Sequence, residues 1–262
     1  MLGLSGTPLT SRPENLWHVL HLIRPDLWPA FWPFAHDFCR PRRTPWGWDT
    51  SGAGNLKTLN GVLRRELMVR FRKADVLKDL PPKQRSVVPV DLSSHKEYDK
   101  ALGNFMGWLR ENEPGKAEGA AKAQGLVQLG HLLRLTARLK LPAVFDWVDD
   151  WLAGTEGKLA LYGVHRSIVR GALHERYPDI SVVVDGQVTG RRRKLAFDHF
   201  LKSKKPRRLL GNIKAAGVGL SGKGVADMAF VEFPWTPGEL VQAEDRFHGV
   251  GRGREDRRTH VR

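Results

Sequence analysis

The second half of the chain alternates short apolar runs with segments of helical periodicity, and this pattern constrains the fold more than any other feature. It is typical of a parallel sheet with crossover helices, because each helix carries the chain back to start the next strand. We predict an α/β fold with strands at residues 158–164, 180–185, 208–213 and 227–233. Helices are predicted between them at 167–177 and 193–202, and the second places Leu195, Phe197, Phe200 and Leu201 inward. Such sheets hold ligands at the carboxyl ends of their strands, so the loops 164–166, 185–189, 214–221 and 233–237 are the candidate sites.

The first part of the chain has a different composition. Proline and tryptophan are frequent up to residue 48, and a helical pattern covers residues 56–77. Consecutive prolines at positions 81 and 82 exclude helix and favour extended geometry, which predicts a stiff connector. Residues 94–153 have a weaker helical pattern. We therefore expect two structural parts that meet near this connector.

The charge balance is strongly basic, with 43 lysines and arginines against 28 acidic residues and a net charge of +15. Nucleic acid is an expected partner of such a chain, although the same balance occurs in proteins that bind no polyanion. The single cysteine, Cys39, excludes an intramolecular disulfide and favours a reducing compartment. The histidines do not have metal-ligand spacing, so we expect no metal site. The sequence has no secretory leader and no long apolar run, so we expect an intracellular protein without a membrane segment.

Two basic clusters flank a helix predicted at residues 193–202. The basic segments are residues 191–194, RRRK, and 202–208, KSKKPRR; the first cluster is Arg191, Arg192 and Arg193, and the second is Lys204 and Lys205. As phosphate contacts they would position DNA without reading its sequence, and the alternative is a solvated face. Tryptophans of the first part could stack on bases, although packing is their more common role in a proline-rich segment. These tryptophans are Trp17, Trp28, Trp32, Trp46 and Trp48.

Two further segments carry residue types suited to a nucleotide. A strand end near residue 212 opens into a loop of small residues with Gly217 and Gly219, which would let the backbone pass close to a phosphate. Most such loops only turn the chain. The segment 238–248 is predicted as a helix that places Gln242 and Arg246 four residues apart on one face. An arginine there could stabilise the charge that develops in phosphoryl transfer, and the alternative is an ordinary surface helix.

Four segments, in this order along the chain, resemble the carboxy-terminal part of the Swi/Snf-type helicases and DNA translocases of superfamily two. Residues 4–8, LSGTP, resemble motif III, and the strand near 160–165 would be motif IV. Residues 217–220 with Asp227 resemble motif V, and residues 242–246, QAEDR, followed by His248 resemble motif VI. Residues 45–52, PWGWDTSG, are similar to the annealing-helicase subfamily, which rewinds DNA. Residues 69–77, VRFRKADVL, and 231–235, VEFPW, also resemble the family.

The resemblance implies two RecA-like lobes that bind ATP and Mg²⁺ between them and track along duplex or forked DNA, independently of its sequence. Residues 1–80 would be the incomplete, mostly helical end of the first lobe, 81–157 a connector with a helical insertion, and 158–262 the second lobe. The implied nucleotide-site residues are Arg246, as the catalytic residue, with Gln242, Gly217 and Gly219. The implied coupling residues are Ser5 and Thr7, and the implied DNA contacts are Asn212, Lys214 and the two basic clusters.

The sequence departs from this family in ways that bear on activity. It has no G-x-x-x-x-G-K-[ST] phosphate loop and no acidic pair at a strand end, so the groups that hold Mg²⁺ and the γ-phosphate are missing. In the segment that resembles motif VI, Gly249 stands where the family has a second arginine. We therefore predict that the chain, which we expect to be a fragment, hydrolyses negligible ATP alone. Two alternatives stay open: a non-catalytic DNA-binding or partner-binding remnant, and half of a split helicase whose first-lobe motifs come from a separate chain. We expect it in the nucleus of a eukaryote, or in the cytoplasm and nucleoid of a prokaryote or phage-infected cell.

Overall fold

The computed structural model describes residues 3, 9, 11–78, 80, 83–112, 124–205, 207–216, 222, 224–248 and 259–261. The chain divides into two compact units. The first unit comprises Met1–Leu80 and Pro234–Val250, and the second unit comprises Pro81–Phe233 and Gly251–Arg262. The assignment of these parts to the ends of two RecA-like lobes stays a prediction.

The first unit is mostly helical. Its elements before residue 80 are α1 (Glu14–Ile23), α2 (Phe31–Phe38), a hairpin of β1 (Arg42–Thr44) and β2 (Gly47–Asp49), α3 (Leu56–Glu66) and α4 (Lys73–Val76). The three longer helices each bury a pair of apolar residues four positions apart, because residues at that spacing share one helix face. These pairs, which form one core with Trp28, are Leu16 and Leu20, Phe34 and Phe38, and Leu59 and Leu63.

The helix predicted over residues 56–77 is broken, so that prediction is wrong. α3 ends at Glu66, where the amide of Leu67 bonds the carbonyl oxygen of Leu63 at 3.0 Å, and α4 begins at Lys73. Residues 68–72 are not helical, and Val69 and Phe71 are exposed. Most helical stability in proteins comes from packing an apolar face, and no such face continues through this stretch.

The second unit contains a six-stranded parallel sheet with the strand order β3-β8-β7-β4-β6-β5. Its strands are β3 (Lys83–Arg85), β4 (Leu159–Gly163), β5 (Ser181–Val184), β6 (Arg208–Asn212), β7 (Asp227–Phe230) and β8 (Thr259–Val261). The strands β4 to β7 lie within the four ranges that the sequence predicts, and each is shorter than its predicted range. The predicted α/β fold with a parallel sheet is therefore confirmed.

The strand β4 is the centre of this sheet, since it pairs with β6 on one side and with β7 on the other. All of its residues are buried. Successive side chains alternate between the two faces of the sheet. Leu159 and Leu161 pack into one core, while Tyr162 stacks on Phe230 with ring centroids 5.0 Å apart. Burial on both faces explains why the sequence of such a strand is almost continuously apolar.

Helices connect and cover these strands. They are α5 (His95–Gly103), α6 (Phe105–Asn112), α7 (Gln124–Leu139), α8 (Leu141–Gly154), a π-helix (Ser167–His174), a 3₁₀ turn (Pro178–Ile180), α9 (Gly190–Lys202) and α10 (Ile213–Ala216). The helix that the sequence predicts after β4 is present, but most of it is π-helical. In α9, Phe197 and Phe200 are buried as predicted, whereas Leu195 is exposed and that prediction is wrong. Leu195 lies two positions before Phe197, which places it about 200° around the helix.

Arg208 belongs to the second basic segment that the sequence suggested for phosphate contact, and for this residue the prediction is wrong. It is the first residue of β6 and is fully buried in the second unit. None of its three guanidinium nitrogens has a hydrogen-bond partner among the residues that the structure describes. The guanidinium carbon lies 3.7 Å from the ring centroid of Tyr177, whose hydroxyl donates to a carboxylate oxygen of Asp149 at 2.7 Å. Burial lowers the pKa of Arg208 to about 10. A buried cation without hydrogen bonds costs stability.

We expect Arg208→Met to leave the free energy of unfolding unchanged or to raise it by up to about 2 kcal/mol, because methionine occupies similar space without a charge. Urea unfolding followed by circular dichroism measures this change. The control is Arg207→Met, since the Arg207 guanidinium donates to the carbonyl oxygens of Thr155 and Gly157. That substitution should lower the free energy by about 1 kcal/mol. A loss above about 2 kcal/mol in Arg208→Met would show that the buried guanidinium has a stabilising partner.

Candidate functional site

A buried carboxylate fixes the loop at the carboxyl end of the central strand. Glu232, two residues after β7, accepts hydrogen bonds through Oε2 from the amides of Val164 and His165, both at 2.9 Å. Its Oε1 contacts the imidazole Nδ1 of His165. A Cβ at Gly163 would lie 2.9 Å from a methyl group of Val169 and 3.2 Å from this carboxylate, so the end of β4 has room for glycine only. The loop is therefore held by a single acid from the neighbouring strand.

A second acid holds the loop after β5. Asp185 is buried and accepts from Nε of Arg170 at 2.9 Å and from the amide of Gln187 at 3.0 Å. Burial alone would raise the pKa of Asp185, but the hydrogen bonds from Arg170 and Gln187 and the charges of Arg170 and Arg166 bring it below its ordinary value. Arg166 donates to the side-chain oxygen of Gln187 at 2.6 Å. The predicted loops 164–166 and 185–189 therefore meet at this edge of the sheet.

Asn212 ends β6 at the same edge. Its Nδ2 donates to the carbonyl oxygen of Val164 at 2.6 Å, and its Oδ1 accepts from the amide of Lys214 at 3.2 Å. The amide group that the sequence suggested for DNA contact therefore bonds within the protein. Lys214 lies in α10 and is exposed. DNA contact by Asn212 and Lys214 stays a prediction.

The position of Arg246 differs from the one predicted. In the first unit, α11 (Pro237–Glu244) ends two residues before Arg246. Arg246 lies in the turn that follows, with its amide bonded to the carbonyl oxygen of Ala243 at 3.2 Å. At the end of a helix, backbone hydrogen bonds between residues three apart commonly replace those between residues four apart. Gln242 lies on the helix, so the prediction of one helix that carries both residues is wrong, and their contact with a nucleotide stays a prediction.

Lys73 holds this turn in place, and the sequence did not identify it. Its ammonium donates to the carbonyl oxygen of His248 at 2.6 Å and lies 3.1 Å from a carboxylate oxygen of Asp245. A cation there complements the negative end of the helix dipole of α11. One signal was available, since residues 69–77 resemble the family. Glu232 carried a similar signal within residues 231–235, but its contact with His165 is not visible in the sequence.

Several predicted features lie outside the described residues. Four predicted site residues do so, namely Ser5, Thr7, Gly217 and Gly219, and so do the two prolines of the connector. Over the described ranges, no group of three or more histidine, cysteine, aspartate or glutamate residues could hold a metal ion. The described helices are each too short or too polar to cross a membrane.

A pocket of about 300 Å³ in the first unit is lined by Arg64, Arg70, Arg72 and Asp75. Arg72 donates to the Asp75 carboxylate at 2.8 Å. Three guanidinium groups against one carboxylate leave an excess of positive charge. Guanidinium groups bind phosphate oxygens through paired hydrogen bonds, so the pocket is suited to a phosphate group.

The two basic clusters lie at opposite ends of α9. Arg191, Arg192 and Arg193 occupy its first turn, and Lys204 and Lys205 follow its last residue. All except Arg193 are exposed, and Nε of Arg193 donates to the carbonyl oxygen of Val188 at 3.1 Å. Cations in a first turn oppose the helix dipole. The two clusters are separated by the length of the helix, about 20 Å at 1.5 Å per residue.

Comparisons with known proteins agree with this fold. Residues 1–122 match the family described as SNF2-related domain. The solved structure of the C-terminal part of the Fun30 ATPase domain superposes with a TM-score of 0.53 over 70% of this chain and 84% of that one. Its sequence identity is 14%, so this likeness concerns the fold alone. These matches relate the chain to the Snf2-type proteins of superfamily two.

Two groups of relatives show which kinds of Snf2-type protein the chain is similar to. The chain is 32% identical over 251 residues to the "SWI/SNF-related matrix-associated actin-dependent regulator of chromatin subfamily A-like protein 1" of Xenopus tropicalis. That alignment covers 95% of this chain and 26% of the relative. It is 30% identical over 256 residues to the human "DNA annealing helicase and endonuclease ZRANB3". This second alignment covers 95% of this chain and 23% of the relative. The chain therefore spans about a quarter of the length of these relatives. The resemblance found in the sequence is confirmed.

We expect Glu232→Ala to lower the free energy of unfolding by about 3 kcal/mol, because two part-buried backbone amides lose their acceptor. Glu232→Gln, which keeps one acceptor oxygen, should lower it less. The control is Glu156→Ala, whose side chain is 97% exposed and which should change stability by less than about 0.5 kcal/mol. Urea unfolding measures all three variants. A loss below about 1 kcal/mol in Glu232→Ala would mean that this carboxylate does not hold the loop.

Proposed function

We propose that this chain is part of a Snf2-type DNA translocase that remodels or anneals DNA. Its part is to contact the DNA backbone and to offer Arg246 to a nucleotide. The observation that carries this proposal is the similarity over 95% of the chain to relatives named as a chromatin regulator and a DNA annealing helicase. DNA, duplex or forked, is the proposed partner, and the nucleus of a eukaryotic cell is the proposed location.

The positions of the basic residues support contact with DNA. Each cation in the first turn of α9 costs about 0.3–1 kcal/mol through the helix dipole at low ionic strength. Binding to phosphate groups offsets that cost, since each neutralised phosphate also releases a counterion. The arginine-lined pocket of the first unit adds a second place for a phosphate. Contacts to phosphate carry no sequence information, so binding independent of sequence is expected.

The residues present provide only part of an ATP site. Bound ATP with Mg²⁺ would supply the phosphoryl transfer that drives a translocase. Arg246 could contact its phosphates, but the sequence contains no phosphate loop, and the described residues contain no cluster of three or more histidine, cysteine, aspartate or glutamate side chains that could hold a metal ion. We therefore assign no step of hydrolysis to this chain alone. The missing groups would come from other polypeptide sequence, which makes half of a split helicase the second candidate.

We expect no ATP hydrolysis above background when the chain is mixed with ATP, Mg²⁺ and forked DNA, because nothing in it neutralises the γ-phosphate as a phosphate loop does. A malachite-green assay for released phosphate measures this. Adding a polypeptide with the phosphate loop and acidic motif of a relative distinguishes the candidates. Restored hydrolysis favours the split helicase, and no change favours a DNA-binding remnant. Robust turnover by the chain alone would contradict the proposed inactivity.

In such a reconstituted enzyme, we expect Arg246→Ala to reduce turnover by about 10³-fold or more, as loss of a phosphate-contacting arginine does elsewhere. DNA affinity should change less than about twofold, because Arg246 is not among the proposed phosphate contacts of DNA. Arg246→Lys is the matched control, since it keeps the charge and loses the paired hydrogen bonds. An Arg246→Ala enzyme with normal turnover would remove this residue from the nucleotide site.

We expect the double variant Arg191→Gln/Arg192→Gln to reduce the slope of log K against log salt by about 2, or about 1 for each lost phosphate contact. The control double variant Lys57→Gln/Lys96→Gln removes the same charge from exposed positions on α3 and α5. It should leave the slope nearly unchanged. Fluorescence anisotropy of a labelled duplex over about 50–200 mM salt measures both. Equal slopes for the two double variants would exclude the first turn of α9 from the DNA contact.

A further inference from the structure

The hairpin of β1 and β2 presents a tryptophan at its tip. The strands pair antiparallel with Arg42 opposite Asp49, Arg43 opposite Trp48 and Thr44 opposite Gly47. Residues 45 and 46 form the connecting turn, where proline fixes the backbone before Trp46. The hydroxyl of Thr44 donates to the carbonyl oxygen of Gly47 at 2.8 Å, and Gly47 has a φ of 120° that favours glycine. The turn is therefore closed by its own residues.

The base of the hairpin is anchored to the first unit. Asp49 accepts from the amide of Ser51 at 2.9 Å and lies 2.9 Å from the Arg42 guanidinium. Hydrogen bonds from Ser51, followed in strength by those from Arg42, lower the pKa of Asp49 to about 2. The Asp49 carboxylate therefore stays charged near neutral pH. The hydroxyl of Thr50 donates to the carboxylate of Glu14 on α1 at 2.6 Å. These contacts hold the hairpin base against the helical core.

The tryptophans of the first unit divide into two classes. Trp28 is buried and packs against Phe34 with ring centroids 5.4 Å apart, so it is a packing anchor. Trp46 is 96% exposed, and Trp48 is 54% exposed. Trp48 contacts the half-exposed Trp32 of α2 edge to face at 5.5 Å. An indole ring exposed to water at a hairpin tip lacks the apolar contacts that usually stabilise a tryptophan side chain. This exposure indicates a surface that a binding partner covers.

The charge beside these rings indicates what covers them. Residues 40–49 contain three arginines, Arg40, Arg42 and Arg43, against the single acid Asp49. Arg43 lies directly opposite Trp48, and directly opposed residues of an antiparallel pair share one face. The face of the hairpin with Trp48 therefore carries a cation beside an aromatic ring. Aromatic rings that stack on bases, next to cations that follow the phosphates, are the combination that binds unpaired nucleic acid.

We propose that the hairpin tip binds unpaired bases of single-stranded DNA, as they occur at the branch of a fork. Trp46 stacks on a base, Trp48 with Trp32 forms a second aromatic surface, and Arg43 contacts the phosphate between. Bases in an intact duplex are stacked on each other and offer no free face to an indole. The hairpin therefore distinguishes unpaired from paired DNA, whereas the basic clusters of α9 bind both. This inference rests on the proposed function, because it assumes that the chain contacts DNA.

We expect Trp46→Ala to weaken binding of a labelled single-stranded oligothymidine by about tenfold, in line with the loss of one stacked base. Affinity for a blunt duplex of the same length should change less than about twofold, since its bases are not free to stack. Trp46→Tyr, which keeps a ring, should restore most of the lost affinity. The matched control is Phe71→Ala, which removes an aromatic ring of the first unit that is 76% exposed, outside the hairpin and outside the candidate loops. Fluorescence anisotropy at one fixed salt concentration measures every pair.

Trp46→Ala should not change the thermal unfolding midpoint, because the removed side chain is almost entirely in solvent. Arg43→Gln provides a second test, and it should reduce the salt slope for the oligothymidine by about 1. Unchanged oligothymidine affinity in Trp46→Ala, or an equal loss for the duplex, would overturn the inference while leaving the proposed function intact. If the unmodified chain binds neither DNA, both the inference and the proposed contact with DNA are wrong.

Discussion

The central strand β4 and the carboxylate of Glu232 at its end determine the arrangement of the second unit. β4 is buried on both faces and pairs with strands on both sides, so a side chain added there has no free space. The strand then gives way to a loop whose part-buried amides would otherwise lack acceptors. Glu232, from the neighbouring strand, satisfies the amides of Val164 and His165 together. Asn212 bonds the same loop from the other side, so three strand ends are fixed as one edge.

The sequence predicted the sheet well because its strands are buried on both faces. Such strands must be almost continuously apolar, and that signal does not depend on distant residues. The carboxyl edge of the sheet follows from the parallel topology, and two of the candidate loops meet there as predicted, while ligand binding at them stays a prediction. The errors arose where distant contacts decide the structure. The turn that carries Arg246 is held by Lys73, whose hydrogen bond to His248 joins residues 175 positions apart in the chain.

Other features could not be predicted because local patterns are ambiguous. Leu195 is apolar and close to Phe197, but only its angle around α9 shows that it faces solvent. Residues 68–72 have good helix formers at several positions, and they are not helical because they lack a face to pack. The tryptophans of the first unit were equivalent in the sequence, whereas burial separates Trp28 from Trp46. Packing and exposure are properties of the whole fold, and composition alone does not contain them.

The charges of the chain are placed where folding alone would not favour them. Arginines occupy the first turn of α9, others converge on one pocket, and Arg43 lies beside an exposed ring. Each arrangement has a cost in electrostatic repulsion or in exposed apolar surface. A polyanion with unpaired bases would offset all of these costs at once. The relationship to Snf2-type proteins makes DNA the polyanion that best fits these surfaces.

Hydrogen–deuterium exchange of the chain with and without forked DNA tests this claim most directly. We expect slower exchange with DNA in the first turn of α9 and in the hairpin of β1 and β2, because both become covered. The amides of Val164 and His165 should exchange at the same rate in both states, since Glu232 already bonds them. Exchange that is unchanged by DNA in both the helix turn and the hairpin would contradict the assignment of these surfaces to DNA.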